Sequence, residues 1–309
     1  MLMRRRDFLC ATAAGFLVSK AGAGAVLAPA LGDELAFLAI GDWGNPGHHD
    51  AAVRVAQAMA ETGREANVQF VLAVGDNFYP RGVSSAEDPV WTTVFEKTYS
   101  REALDVPWYA VLGNHDHKGN SQAQIDYTSR SPRWNMPKPY YTLHRELSGV
   151  AADFFFIDTT PIADARWWRT VVWSDPSVTE QLRWLEQELQ RSTARWKIVI
   201  GHHPVYSGGS HGSTKALVDL LPPLFERYGV QLYINGHDHD LQHIKRAGIS
   251  YVTSGAAANT REVQPIDGTL FSAAKLGFLL VRLSPVTATL TFIGDRSETL
   301  YETMIATRA

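Results

Sequence analysis

The sequence holds one cysteine, Cys10, among 309 residues. Without a second thiol the chain can form no disulfide of its own, and a structural zinc site built from cysteine thiolates is excluded. A basic excess is also lacking: 29 Lys and Arg stand against 32 Asp and Glu, a formal charge of −3, which leaves no basic surface for a nucleic acid to bind. No Pro/Ser/Gly linker or charge block interrupts the chain, and no apolar run reaches the ~20 unbroken residues of a membrane span. What remains, with 45% hydrophobic and 20% charged residues, is an ordinary globular composition. At this size one large core can still be buried, and residues 31–309 read as a single domain.

Residues 1–30 have a different character. Arg5-Arg6-Asp7-Phe8-Leu9 precedes a weakly apolar stretch, residues 11–30, broken by Lys20 and several glycines. The segment resembles a twin-arginine export signal, with cleavage after Ala23 or Ala30, and implies export to the periplasm or beyond with no stable membrane anchor. Cys10 lies in this leader; without it 25 basic residues face 31 acidic ones, a charge of −6, so a polyanionic partner is disfavoured further.

Beyond the leader, five apolar runs end in glycine followed by residues that ligate metals. Leu35 to Ile40 leads into Gly41-Asp42-Trp43-Gly44, and Val68 to Val74 into Gly75-Asp76-Asn77-Phe78-Tyr79. Pro107 to Leu112 leads into Gly113-Asn114-His115-Asp116, Trp196 to Ile200 into Gly201-His202-His203-Pro204, and Val230 to Asn235 into Gly236-His237-Asp238-His239-Asp240. The spacing predicts helices over residues 50–65, 89–100, 121–127, 179–191 and 213–228. Asn120 is expected to cap the third, and the last should break at Pro222-Pro223 and stop at Gly229. Residues 140–147 and 152–159 read as two further strands. Between these and the fourth helix, residues 161–176 hold Trp167, Trp168 and Trp173 beside Arg166 and Arg169, either bordering a substrate or covering the core edge. Residues 249–254, 276–283, 287–292 and 300–306 alternate like antiparallel strands and are expected to form a second sheet packed on the first.

In an open α/β sheet, residues just past the carboxyl ends of parallel strands face one crevice, so the five tips are expected to converge. A carboxylate such as Asp76, at the polar tip of a buried strand, can hold two cations at once through its two oxygens. His237 and His239 are one residue apart, so in an extended segment they would project to the same side and could each meet a different metal. Two cations about 3.5–4 Å apart can clamp the attacking and leaving sides of an in-line displacement, while one of them acidifies water.

The ordered set of tips closely resembles the purple acid phosphatases, in particular the small tartrate-resistant type within the binuclear metallophosphoesterases; the likeness spans residues 35–293 and includes Pro132-Arg133-Trp134-Asn135. The resemblance implies an α/β fold of two mixed β-sheets packed as a sandwich and flanked by helices. It implies that Asp42, Asp76, Tyr79 and His239 bind a ferric ion and that Asp76, Asn114, His202 and His237 bind a divalent one: iron, zinc or manganese. That division suits the chemistry, since the first set offers three anionic oxygens to the trivalent ion. His115 and His211 match the family's substrate-side histidines, with Asp116 expected to orient His115 and Asp238 to point away from its neighbours as a structural residue. The implied activity is hydrolysis of small phosphate monoesters below neutral pH, by a chain expected to be monomeric. A phosphodiesterase with the same centre and a non-hydrolytic iron protein that binds phosphate or cycles redox state are the rival readings. The chain departs from the animal enzymes at His203, where tyrosine is usual, and at Asp240, where asparagine is; both changes put charge in question beside the ligands. The animal enzymes' loop disulfide has no counterpart.

Overall fold

The computed structural model describes residues 34–163 and 176–307, so the leader and the loop of Trp167, Trp168 and Trp173 lie outside the described residues. The chain first lays down β1 (Leu35–Ile40), α1 (His49–Glu65), β2 (Phe70–Ala73), β3 (Trp108–Ala110), α2 (Ser121–Asp126) and β4 (Trp134–Asn135). These four strands pair in parallel, in order, because each excursion between them returns the chain to the same end of the sheet. A hairpin of β5 (Tyr141–Leu147) and β6 (Val150–Phe156) follows, then α3 (Thr160–Ala163), α4 (Pro176–Arg191), β7 (Trp196–Ile200), α5 (Lys215–Tyr228) and β8 (Leu232–Asn235). The remainder is strand: β9 (Leu241–Arg246), β10 (Ile249–Ser254), β11 (Thr269–Ala273), β12 (Gly277–Leu283), β13 (Thr287–Gly294) and β14 (Thr299–Ala306).

Two seven-stranded mixed sheets result, ordered β14-β13-β12-β1-β2-β3-β4 and β11-β9-β10-β8-β7-β6-β5. The C-terminal strands do not make a sheet of their own, contrary to expectation. β12 adds antiparallel to β1, and β13 and β14 extend from it, so these three complete the first sheet. β10 instead pairs in parallel with β8 and belongs to the second. The five tipped strands are therefore divided, β1, β2 and β3 in one sheet and β7 and β8 in the other. β4, β9 and β11 carry no clear alternating pattern in the sequence; β11 lies at a sheet edge with no buried residue.

The sheets pack through aromatic rings. Phe37 stacks on Phe70 at 5.0 Å, and both meet the edge of Phe154 from the other sheet at 5.3 and 5.4 Å. Along β7, Ile198 and Ile200 join this inner core while Val199 packs with Leu185, Leu189, Leu217 and Leu221 of α4 and α5, the period-two alternation of a strand buried on both faces. The expected break in α5 does not occur: the helix runs through Pro222 and Pro223 and ends at Gly229, whose φ of 71° gives the left-handed cap. Each proline inside a helix costs ~3 kcal/mol. Burial of Leu217, Leu221 and Phe225 against the second sheet offsets that cost. Asn120 caps α2 as expected, its side chain accepting from Ala123 N at 3.3 Å.

Residues 89–100 hold, in place of a regular helix, a short wide turn, Trp91–Glu96, followed by Lys97 N donating to Thr92 O at 3.0 Å. This turn stacks Trp91 on Tyr127 at 3.6 Å. Trp43 lies at the centre of the same aromatic cluster, 5.5–6.4 Å from the rings of Phe78, Phe95, Tyr99, Trp108 and Trp134. Two residues of the strand-tip motifs, Trp43 and Phe78, are thus core residues that anchor the tips they belong to.

Candidate metal centre

The strand ladders continue past the strand ends and hold the tips together. Asp42 N donates to Gly75 O at 3.1 Å, Gly41 N to Ser254 O at 2.8 Å and Gly236 N to His202 O at 3.0 Å, the last joining the tips of β7 and β8. Asp42, Asp76 and His237 adopt φ of 58°, 49° and 70°, left-handed conformations that cost ~1–3 kcal/mol each for residues other than glycine. His237 is therefore not extended, as the spacing argument assumed. Asp238 N donates back to Gly236 O at 2.9 Å in a tight turn, and that turn, rather than strand alternation, sends His237 and His239 to different places.

The donors fall into two groups. Tyr79 Oη lies 2.9 Å from Asp42 Oδ1, 2.8 Å from Asp76 Oδ2 and 3.2 Å from His239 Nε2. In the second group His202 Nε2 is 3.5 Å from Asp76 Oδ1, 3.3 Å from Asn114 Oδ1 and 3.3 Å from His237 Nδ1. Asp76 belongs to both, one oxygen in each. All seven expected ligand residues are brought together, and ligand atoms of Asp42, Asp76 and His202 lie within 4.8 Å of one another. His202 Nδ1 donates to Val74 O at 3.0 Å, which fixes the ring with Nε2 directed at the group.

Burial opposes charge on Asp76, yet the adjacent His202 and the hydrogen bond from His115 N keep its carboxyl far below the ordinary range. Burial also opposes protonation of His202, but Asp76 outweighs it and lifts the imidazole to about 9. His237, buried beside His202 and His211, is pushed down to about 3. Burial, with the charges of Asp42 and Asp76, raises the Tyr79 phenol well above its ordinary value. These directions test whether cations fit. Two buried carboxylates face one phenol and three imidazoles whose oxygen and nitrogen atoms converge on them, a set in which protons stand where cations could. Hard oxygen and borderline nitrogen donors in this mixture fit a pair of metal cations.

The surroundings differ from expectation at Asp116. Asp116 does not orient His115. Its buried carboxylate accepts from Gly113 N at 2.8 Å, Gln124 Nε2 at 2.8 Å, Asn77 N at 3.1 Å and Phe78 N at 3.2 Å, tying the β2 tip to the β3 tip. His115 is set by Pro80 O, which accepts from its Nδ1 at 2.7 Å. Asp238 is a structural residue, as expected: it accepts from Ser207 Oγ and, at 2.9 Å, from both N and Nδ1 of His211, so it fixes the loop that carries this histidine. His203 adds no charge, because burial and the neighbouring His202 and His237 push it well below the ordinary histidine range, and its Nδ1 pairs with Thr159 Oγ1 at 2.9 Å. Asp240 is raised to about 7 by burial. Thr159, whose hydroxyl also accepts from His202 N and His203 N, went unnoticed in the sequence although it closes an apolar run as the other tips do.

A side chain at Gly113 would meet Asp76, since a Cβ there would lie 2.2 Å from both Asp76 N and Oδ1. Gly113→Ala is expected to displace this carboxylate at an overpacking cost of about 1–3 kcal/mol. The folded variant should retain less than half of the metal bound by the parent; full metal content by elemental analysis would show that Asp76 need not stay where it is.

The sequence pattern of the calcineurin-like phosphoesterases matches residues 35–241. The chain is similar to purple acid phosphatase 7 of Arabidopsis thaliana, at 39% identity over 75% of this chain and 74% of that protein. It is also similar to tartrate-resistant acid phosphatase type 5 of Homo sapiens, at 35% identity over 92% of this chain and 96% of that protein. Among solved structures, GAP50, the anchor in the inner membrane complex of Plasmodium, superposes with a TM-score of 0.80 at 26% identity, covering 89% of this chain and 90% of that one. The purple acid phosphatase PPD1 of yellow lupin seeds shares the fold with a TM-score of 0.68 at 16% identity, over 88% of this chain and 54% of that one. With its two mixed sheets and its paired donor groups at the strand tips, the chain belongs to the purple acid phosphatases of the tartrate-resistant type, within the calcineurin-like phosphoesterases.

Proposed function

We propose that this chain is an acid phosphatase for small phosphate monoesters, with a ferric ion held by Asp42, Asp76, Tyr79 and His239 and a divalent iron, zinc or manganese held by Asp76, Asn114, His202 and His237. The observation that carries this reading is the division of Asp76, with Oδ2 against Tyr79 at 2.8 Å and Oδ1 against His202 at 3.5 Å. When bound, the two cations supply charge neutralisation for the transferring phosphoryl group and an acidified water.

The chain's own residues do the rest. Asp42 and Tyr79 contribute anionic oxygens, and His237, unprotonated at working pH, offers a free lone pair. His115, held through Nδ1 by Pro80 O, presents Nε2 to a bound phosphate. His211, held through Nδ1 by Asp238, presents Nε2 toward the leaving oxygen and donates the proton that the departing alkoxide requires. Imidazole suits this because it exchanges protons in mildly acidic solution.

Tyr79 is pushed well above its ordinary pKa and His202 to about 9, so at pH 7 both are protonated in the metal-free chain and each must lose a proton to ligate. Loading the metal-free protein at pH 7 is expected to release both protons and to develop a pink to purple colour; Tyr79→Phe should release one fewer and stay colourless. Equal colour in the variant would remove Tyr79 from the ligand set. His211→Ala is expected to slow alkyl esters by about 10²–10⁴-fold, the usual contribution of a general acid, and activated aryl esters far less. Equal losses on both substrates would take His211 out of the acid role.

Export through the twin-arginine route, to the periplasm or beyond, is part of the same proposal and is supported by Arg5-Arg6 ahead of a weakly apolar stretch. Among the described residues no helix is long and apolar enough to cross a membrane. Replacing both arginines by lysine should leave the full-length precursor inside the cell, and normal export of that variant, read by fractionation, would exclude the route.

A further inference from the structure

Beside the donor groups the described surface carries two cations that no described carboxylate pairs with. Lys118 Nζ lies 3.4 Å from His115 Nε2, and Arg261 Nη1 lies 3.0 Å from His211 Nε2 and 3.4 Å from its Nδ1. In a chain of net charge −3, each histidine placed on the substrate side has its own cation. The position of Arg261 is built into the fold. Its backbone N donates to His239 O at 2.8 Å, and the same loop is stapled to the segment carrying His211 by the Gly209 to Val263 bridge and by Gln264 N donating to Gly208 O at 2.9 Å.

A guanidinium has donors only. Asp238 accepts from His211 Nδ1, so Arg261 faces the other ring nitrogen, and an anionic oxygen is a stronger partner for a guanidinium than an imidazole is. Because His211 is placed on the leaving side of the ester, a reading that rests on the proposed function, Arg261 lies beyond the scissile oxygen rather than over the transferring phosphoryl group. We propose that Arg261 is a specificity-determining residue that selects phosphate esters whose leaving group bears a second anionic group. The planar fork fits carboxylate and phosphate alike.

The test compares kcat/KM of the metal-loaded enzyme for 3-carboxyphenyl phosphate and 3-carbamoylphenyl phosphate, which differ in one charge, with inorganic pyrophosphate as the phosphate arm. Arg261→Gln is expected to lower the carboxylate-to-carboxamide ratio about fivefold, the upper end for an exposed ion pair, while Arg261→Lys keeps part of it. A parallel fall for pyrophosphate relative to the carboxamide ester identifies phosphate as a recognised group, and a fall for the carboxylate ester alone identifies carboxylate; both support the inference. Calorimetric binding of 3-carboxyphenyl phosphonate should weaken by the same factor in Arg261→Gln. Ratios and binding unchanged in Arg261→Gln overturn the inference while leaving the phosphatase reading intact. No turnover of any of the three substrates by the parent enzyme overturns both.

Discussion

The structure depends on one buried carboxylate. Asp76, 2% exposed, stands at the tip of β2 with an oxygen in each of two donor groups, and Asp42, fully buried, meets it through Tyr79. Two like charges about 4 Å apart repel by roughly 4 kcal/mol at the effective dielectric of a protein. Such a pair persists only where the scaffold holds it and positive charge answers it. The scaffold is visible: the aromatic cluster around Trp43 lies beneath the tips, and Asp116 gathers donors from Gly113, Asn77, Phe78 and Gln124, so that neither tip can move without breaking buried hydrogen bonds.

The division of the tips between two sheets gives the centre its chemistry. Every donor from the first sheet is an oxygen: Asp42, Asp76, Tyr79 and Asn114. Every donor from the second is an imidazole: His202, His237 and His239. Each group draws on both sheets, so cations bound there would join the two sheets at the carboxyl ends of these strands, and folding would be linked to metal occupancy. On the outer side of the same crevice, His115 and His211 are each fixed through Nδ1, by Pro80 O and by Asp238. Fixing one nitrogen decides what the other can offer.

Much of this was legible in the residues, for a local reason. An apolar run that ends in glycine and then aspartate, asparagine or histidine declares a strand tip with a ligand, whatever sheet it joins. Caps are local too, and both Asn120 and Gly229 act where the sequence places them. The break expected at Pro222-Pro223 was a local inference that lost to packing, since α5 buries Leu217, Leu221 and Phe225 against the second sheet.

The identity and order of the strand-tip donor residues, and with them the family, were determined by the sequence alone, because they reside in short segments whose backbone turns and side-chain chemistry are set by their own residues. Only the tertiary structure decided that β12 pairs with β1 and β10 with β8, that Asp116 joins two tips, and that Asp238 and Arg261 both meet His211. Strand partners and the targets of buried carboxylates are chosen by contacts between segments far apart in the chain, and alternation or spacing within one segment carries no record of that choice.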